Sequence, residues 1–245
     1  MGKIAANVAR TWIDEFDVSG SINAGDFSVK QETAVVTCLS DTGPRRVVGN
    51  YEHTGGGNGF FDGVAAAFDA KAFIDLRTDE DHYRSDIYGV AAGSRCYDRV
   101  VRLPEQVRSS AVGGAVLLNL TDEGSGPIVR GQLLLSATAV AIGDAATGYN
   151  GGVITFAAGF GYAALFRVIS VVGSGSITIV IKESDDGSTD PYAAIAGITA
   201  TFTAVGVQRK TQTGTADIGA FRRVSITAFS GFTSAVVLVT GGKVS

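Results

Sequence analysis

The sequence predicts a mainly β protein, and its composition carries that prediction. The chain of 245 residues contains 33 glycines and only 4 prolines, and 18% of its residues are charged. Its apolar runs are rich in Val, Ile, Thr and Phe, which favour strands, and glycine-containing turns separate them. A chain of this length can bury one large core or two smaller ones. We therefore expect a β-sandwich or barrel with one α-helix, followed by a second antiparallel β-sandwich unit.

The first predicted unit spans residues 1–142. Residues 27–39 have strand character, with an edge or a bulge at their Lys-Gln-Glu interruption. Residues 62–76 carry apolar side chains at helical spacing behind Asp62, which can cap a helix. This segment is the best helix candidate in the chain.

The rest of the first unit returns to strand character. Residues 85–103 resemble strands, and the segment 104–110 looks like a single turn opened by proline. Residues 115–120 and 131–141 are predicted to form a strand pair joined by a polar turn at 121–127. The first unit is thus expected to consist of strands around one helix.

The second predicted unit spans residues 143–245 and has the clearer pattern. Residues 163–172 and 176–182 are predicted to be two strands joined by a flexible Gly-Ser-Gly-Ser turn. Isoleucines at every second position, Ile177, Ile179 and Ile181, indicate a strand with one apolar face. The residues at 183–190 are dense in turn formers and predict a surface loop. Four further strands are predicted at residues 199–204, 206–212, 222–229 and 234–240.

Composition also limits the partners. The net charge is −4, so the chain lacks the basic surface that tight nucleic-acid binding requires. Residues 145–166 are uncharged, but their glycines and polar residues make them less apolar than a membrane-spanning helix requires. Cys38 and Cys96 have no metal-ligand spacing, which favours buried free thiols over a disulfide.

Acidic residues form the densest group of possible catalytic or metal-binding side chains, at Asp79, Glu80, Asp81, His82 and Asp86. Neighbouring residues on a strand or loop point apart, whereas a metal needs convergent ligands. A solvated acidic loop is therefore favoured. His82 has no nucleophile elbow or cysteine-protease motif around it, so a hydrolytic triad is not expected.

Other motifs are also incomplete. The glycine-rich residues 55–59 lack the lysine of a phosphate-binding loop and favour a flexible assembly loop. Asp185, Asp186 and Asp190 lack the closing glutamate of a calcium loop, which favours a hairpin turn. The basic pairs 45–46 and 222–223 are interpreted as interface ion pairs. We predict no enzyme activity, no catalytic residue, no metal ligand and no cofactor.

Several short motifs resemble the tail tube proteins of long-tailed bacteriophages. Residues 35–37 followed by 40–43 resemble the strand-then-turn element of that family, and residues 46–49 resemble its short apolar segment closing on glycine. Residues 59–62 are similar to the strand that precedes its only helix. The resemblance covers about residues 10–140, and residues 150–240 look like a β module also seen in phage structural proteins. The polar residues 51–58 depart from the family pattern.

This resemblance implies a major tail tube subunit that assembles with itself. Strands would join across subunits into closed rings, usually hexameric, and stacked rings would form a channel through which viral DNA passes without specific binding. Other tail proteins would bind the tube ends, and the protein would reside in the virion tail after assembly in the host cytoplasm. Residues 41–58 would reach the neighbouring ring. The candidate contact residues are Asp41, Arg45, Arg46, Tyr51, His53, Gly55, Gly56, Gly57 and Asn58.

Two other functions are compatible with a glycine-rich β protein. One is a capsid decoration protein or another virion surface protein. The other is a carbohydrate-binding β module, which needs a flat patch of exposed aromatic side chains. The position of the single tryptophan, Trp12, near the terminus argues against such a patch.

Overall fold

The fold is built from strands, as the composition predicts. The computed structural model describes residues 9–19, 22–36, 45–60, 81–110, 116–141, 154–155, 161–186, 192–213 and 218–244. These residues contain thirteen β-strands and no helix: β1 Ala9–Ile13, β2 Phe16–Asp17, β3 Ile22–Val36, β4 Arg45–Phe60, β5 His82–Tyr88, β6 Arg95–Ser110, β7 Val116–Gly124, β8 Val129–Ala141, β9 Ile154–Thr155, β10 Tyr162–Ser184, β11 Ala193–Phe202, β12 Gly206–Thr211 and β13 Phe221–Val244. The mainly β prediction is confirmed. The helix predicted at residues 62–76 lies outside the described residues.

The chain forms two compact units that alternate along the sequence. Unit 1 comprises Met1–Ser19, Tyr83–Arg99 and Ile128–Ser245, and unit 2 comprises Gly20–His82 and Val100–Pro127. This division differs from the predicted boundary after residue 142, because β8 and β13 lie on opposite sides of that boundary and pair along their length.

The centre of unit 1 is the long antiparallel pair of β10 and β13. Their register runs from Tyr162 opposite Lys243 to Ser184 opposite Phe221. Both outer edges of this pair carry further strands: β8 pairs with β13, and β11 and β12 pair with β10. On the far side of β8, the strand order continues through the first residues of β6 to β5, β1 and β2.

The turn predicted at residues 173–176 is wrong, because β10 passes through this segment as one strand. The register with β13 shifts on both sides of Gly173, which has φ +97°, and Gly231 on β13 has φ +78°. Glycine adopts such backbone angles without steric cost, so the paired strands bend here instead of ending. The strands predicted at 222–229 and 234–240 are likewise one strand, β13.

The bend lets both halves of β10 contribute to one hydrophobic core. Phe166 lies before the bend and Ile179 after it, and both are fully buried in the same cluster. Ile177 and Ile181 are fully buried as well, so the predicted alternation is confirmed. Strands that turn a corner in this way allow one sheet to fold over its own apolar face.

Unit 2 contains a sheet with the strand order β3, β4, β7 and the second part of β6. A register shift between Gln31 and Thr33 confirms the predicted bulge. The turn predicted at residues 104–110 is wrong, because β6 continues through Pro104 with a register shift between Arg102 and Glu105. An irregular position suits proline, since it has no amide hydrogen to donate to the ladder.

The strand pair predicted from residues 115–120 and 131–141 has different partners. β7 pairs with β4 and β6, whereas β8 pairs with β6 and β13. Both segments are strands, so the error concerns only their pairing. Among the described residues, no helix has the length and hydropathy needed to cross a membrane.

Candidate assembly surface

The predicted contact residues lie mainly on β4. This strand pairs with β3 along its length, but only part of it has a second partner strand. Residues 29–36 and 45–53 pair with each other, and β4 gains its second partner, β7, only from Thr54 onward. We call this two-stranded part the arm. The base sheet comprises residues 22–28 of β3, 54–60 of β4, β7 and residues 101–110 of β6.

The predicted loop at residues 55–59 is wrong, because these glycines lie inside a strand. Gly56 is opposite Asp26 on one side and Thr121 on the other, so ladders flank it on both sides. Arg45, Arg46 and Tyr51 lie in the arm. Asp41 lies outside the described residues.

Close packing explains why the strand carries glycine here. A Cβ atom on Gly56 would lie 2.7 Å from the Leu120 carbonyl oxygen and 3.1 Å from Asp26 Oδ1. The missing side chains leave an open groove of about 560 Å³ across three strands. Its lining residues are Gly25, Asp26, Thr54, Gly55, Gly56, Gly57, Asn58, Asn119, Leu120 and Thr121.

The base sheet has one buried and one exposed face. His53, Leu120 and Asp122 are buried on one side, at 4%, 7% and 1% exposure. On the other side lie eight exposed polar side chains, which we call the polar face: Asp26, Ser28, Thr54, Asn58, Arg102, Asn119, Thr121 and Glu123. Strand alternation produces this separation, because residues two apart share a face.

His53 marks the junction between the arm and the base sheet. Its Nε2 donates a hydrogen bond to the Gly126 carbonyl oxygen at 2.8 Å, and its ring meets Phe27 edge to face at 6.5 Å. The ring also lies where a Cβ on Gly124 would have to be. The His53 side chain is therefore engaged within its own unit and ties β4 to the end of β7.

The predicted solvated acidic loop is wrong for His82 and Asp86, which are buried. In unit 1, Asp86 accepts hydrogen bonds from Arg84 at 3.2 Å and Arg99 at 2.9 Å. Asp81 does follow the prediction, because it is exposed and pairs with Arg102 at 3.2 Å. Asp79 and Glu80 lie outside the described residues. Within the described part of the chain, no three His, Cys, Asp or Glu residues are grouped as a metal site.

A second buried polar group in unit 1 was not predicted. Asp98 accepts a hydrogen bond from the Ser85 hydroxyl and lies 3.9 Å from the Cys96 sulfur. Arg167 donates from Nε to the Asp14 carbonyl oxygen at 2.5 Å. Burial raises the pKa of the Asp98 carboxyl, and the Arg167 guanidinium offsets part of that rise. Four different strands or turns supply these residues, so no local motif could have revealed the group.

This buried group connects strands and lacks the features of a reaction site. Ser85 and Cys96 are 0% exposed and Asp98 is 2% exposed, so a substrate has no route to them in this conformation. Burial and the Asp98 carboxylate raise the pKa of the Cys96 thiol, which keeps the sulfur protonated and weakly nucleophilic. Cys96 is a buried free thiol, as predicted, and Cys38 lies outside the described residues.

The structure also describes the basic pair at residues 222–223 and the surroundings of Trp12. Arg222 is buried and stacks over the Tyr162 ring at 5.0 Å, so its interpretation as an interface ion pair is wrong. Arg223 stacks over Tyr192 at 3.9 Å. Trp12 is only 6% exposed, and the exposed large hydrophobic side chains of the described residues are valines and one leucine. That composition does not favour a sugar-stacking surface.

Comparisons with known proteins found matches only among solved structures. No family model matches the chain, and no curated protein matches it. The chain is similar to the SPP1 tail tube, with 12% identity, TM-score 0.41, and coverage of 52% of this chain and 78% of that one. It is similar to a C6-symmetric tail of an empty gene transfer agent particle, with 16% identity, TM-score 0.39, and coverage of 50% and 93%.

A third similar structure covers nearly the whole chain. It is the SPP1 Dit protein, described as part of a hub adsorption apparatus in phages that infect Gram-positive bacteria. The identity is 13%, the TM-score is 0.32, and the match covers 96% of this chain and 99% of that one. The names of these three solved structures thus refer to a tail tube, a tail and a hub adsorption apparatus.

Proposed function

We propose that the chain is a major tail tube subunit that polymerises into stacked, hexameric rings and forms the channel for DNA passage during ejection. The observation that carries the proposal is the arm. Its two strands extend past the base sheet, and no third strand among the described residues pairs with residues 45–53 of β4. The sequence motifs that resemble tail tube proteins lie in and around this same segment.

A two-stranded ribbon needs an external contact to be well ordered. Such ribbons are at best marginally stable in water, because they bury little apolar surface and leave two strand edges unpaired. Arg45, Arg46 and Tyr51 lie on the arm, and Val29 at its base is 47% exposed. We assign the ordering contact to a neighbouring copy of the chain in the next ring. A subunit that polymerises through this contact can remain soluble until its local concentration rises.

Charge supports passage of DNA rather than capture. The chain has a net charge of −4, and a protein that binds DNA tightly presents clustered Lys and Arg to the phosphates. The further partners under this proposal are other tail proteins at the tube ends. The site of action is the virion tail, after assembly in the host cytoplasm.

Electron microscopy of the purified, concentrated chain tests the proposal. We expect rings or tubes in negative stain, with six-fold end views. A decoration protein would instead give uniform small particles, such as trimers, at every concentration and salt condition. That second result would overturn the tube assignment.

A further inference from the structure

We infer that the outer edge of β11 is a strand-addition surface, and that the subunit keeps it closed against a second copy of itself through Gln208. The inference goes beyond the proposed function and does not depend on it. Among the described residues, β11 pairs only with β10, so it lies at one end of the strand order of unit 1. An edge strand presents unpaired amide and carbonyl groups, to which a strand of another chain can add.

The composition of β11 makes this edge well suited to strand addition. Residues Ala193–Phe202 include neither a charged residue nor a proline, and they are rich in Ile and Thr. An uncharged segment of high β-propensity pairs readily with a copy of itself. The neighbouring strand β12 also pairs only with β10 among the described residues, but it carries Arg209 and Lys210. Charged side chains discourage pairing at an edge, so β12 has a protection that β11 lacks.

Two carbonyl groups of β11 are already bonded to other residues of the same unit. Nε2 of Gln208, on β12, donates a hydrogen bond to the Thr201 carbonyl oxygen at 2.6 Å. The Thr213 amide donates to the Ala196 carbonyl oxygen at 3.0 Å. Between these two points Gly197 has φ +82°, and the register with β10 shifts over this segment. The irregular part of β11 is therefore a poor template for a second strand, and the regular part is residues 199–202.

Gln208 closes that regular part. Thr201 lies opposite Thr178 on β10, and their hydroxyl oxygens are 3.0 Å apart, as suits a non-hydrogen-bonded pair in which the side chains are close. The backbone groups of Thr201 therefore point away from β10, and strand alternation gives those of Thr199 the same direction. Both threonine side chains are exposed. A second strand would pair with these backbone groups, and the Gln208 amide already occupies one of them.

The hydrogen bond from Gln208 matters more for exclusion than for satisfying the carbonyl group. The bond is exposed, so water can serve the Thr201 carbonyl oxygen nearly as well when the amide is absent. A water molecule is readily displaced by the amide of an incoming strand, whereas a side chain anchored on β12 has to be moved aside. We therefore expect loss of this side chain to affect self-association more than folding.

Substitution of Gln208 in the full chain tests the inference. Gln208→Leu keeps most of the bulk of the side chain and removes the amide, and Gln208→Ala removes both. In sedimentation velocity, we expect both variants to self-associate at a concentration about tenfold lower than the unmodified chain does. Gln208→Lys is the matched control, because it also removes the amide but places a charge at the edge. It should self-associate no more than the unmodified chain.

Hydrogen exchange of the associated Gln208→Leu subunits locates the contact. Amides of residues 199–203 should gain protection, whereas those of the arm at residues 45–51 should not change. Unprotected amides at 199–203 would overturn the inference, and so would Gln208→Lys associating as Gln208→Leu does. Leu and Ala variants that stay monomeric, or that both lose native Trp12 fluorescence, would overturn it as well. Whether the unmodified chain forms tubes tests the proposed function separately.

Discussion

Two long strand pairs, one in each unit, have the same secondary structure and different surroundings. In unit 1, β10 and β13 pair from Tyr162 to Ser184, and further strands pair with both outer edges. In unit 2, β3 and β4 also form a long ladder, but β4 has a second neighbour only from Thr54 onward. The two pairs therefore differ in their number of flanking strands and not in being long. We expect that number to separate a pair that stabilises its own unit from one that is available to another copy of the chain.

The two strand pairs also differ in how deeply their side chains are buried. Phe166, Val168 and Ile179 on β10 are 0% exposed, whereas Val29 on β3 is 47% exposed. Burial of apolar surface is the main stabilising contribution to a fold. We expect β10 and β13 to determine the stability of the subunit, and the arm to determine its assembly.

The largest expected effect comes from a substitution in the β10–β13 pair. Phe166→Ala should lower the free energy of unfolding of unit 1 by about 3–5 kcal/mol, because it removes a buried ring and leaves a cavity. Trp12 is the single tryptophan and is buried in unit 1, so its fluorescence during urea unfolding reports this unit. The matched control is Val172→Ala, which lies on β10 in the same unit but is 58% exposed, and which should change this value by less than about 0.5 kcal/mol. Equal effects of the two substitutions would refute the comparison.

Hydrogen exchange should distinguish the two pairs without any substitution. In the unassembled subunit, amides at residues 45–51 of the arm should exchange far faster than those of β10, because only one ladder protects them. In tubes, protection of the arm should rise by more than about tenfold, while β10 remains unchanged. Mass spectrometry of peptides from the unassembled subunit and from tubes measures these exchange rates. An arm that is equally protected before and after assembly would show that no neighbour orders it.

Much of the fold could be predicted from the sequence. Strand composition and the alternation of Ile177, Ile179 and Ile181 depend on local properties, and these predictions are confirmed. The Gly-Ser-Gly-Ser segment was misinterpreted as a turn because its structure depends on Gly231, a residue far away in sequence. Local patterns cannot show that a second glycine lies opposite and allows both strands to bend.

At the candidate assembly surface, too, local sequence patterns could not show which residues lie opposite one another. The glycines of residues 55–59 suggested a loop, whereas the structure places them inside β4. Gly56 is required because the Leu120 carbonyl lies too close to admit a side chain, which is a tertiary effect. The assembly role of Arg45, Arg46 and Tyr51 stays a prediction. The polar face became visible only when the register placed residues from four strands together.

A smaller effect should appear in the pH dependence of unit 1. Burial raises the folded-state pKa of Asp98 above its unfolded value of about 3.9. The protonated carboxyl therefore stabilises the fold below about pH 4, and this contribution is lost as the pH rises through the folded-state pKa. Asp98→Asn should flatten that part of the stability profile, measured by Trp12 fluorescence in urea. Exposed Asp185→Asn is the control, and an unchanged profile in Asp98→Asn would contradict the role of this carboxyl.

The central claim is that the arm serves assembly and not folding, and shortening it is the most direct test. The variant replaces residues 32–50 with Asn-Gly, a two-residue hairpin turn that joins Gln31 to Tyr51, and it keeps every residue of the base sheet. We predict a folded monomer with unchanged Trp12 fluorescence and unfolding midpoint, and no rings or tubes by electron microscopy at concentrations where the intact chain forms them. Tubes from the shortened variant, or a variant whose unit 1 no longer folds, would contradict the account.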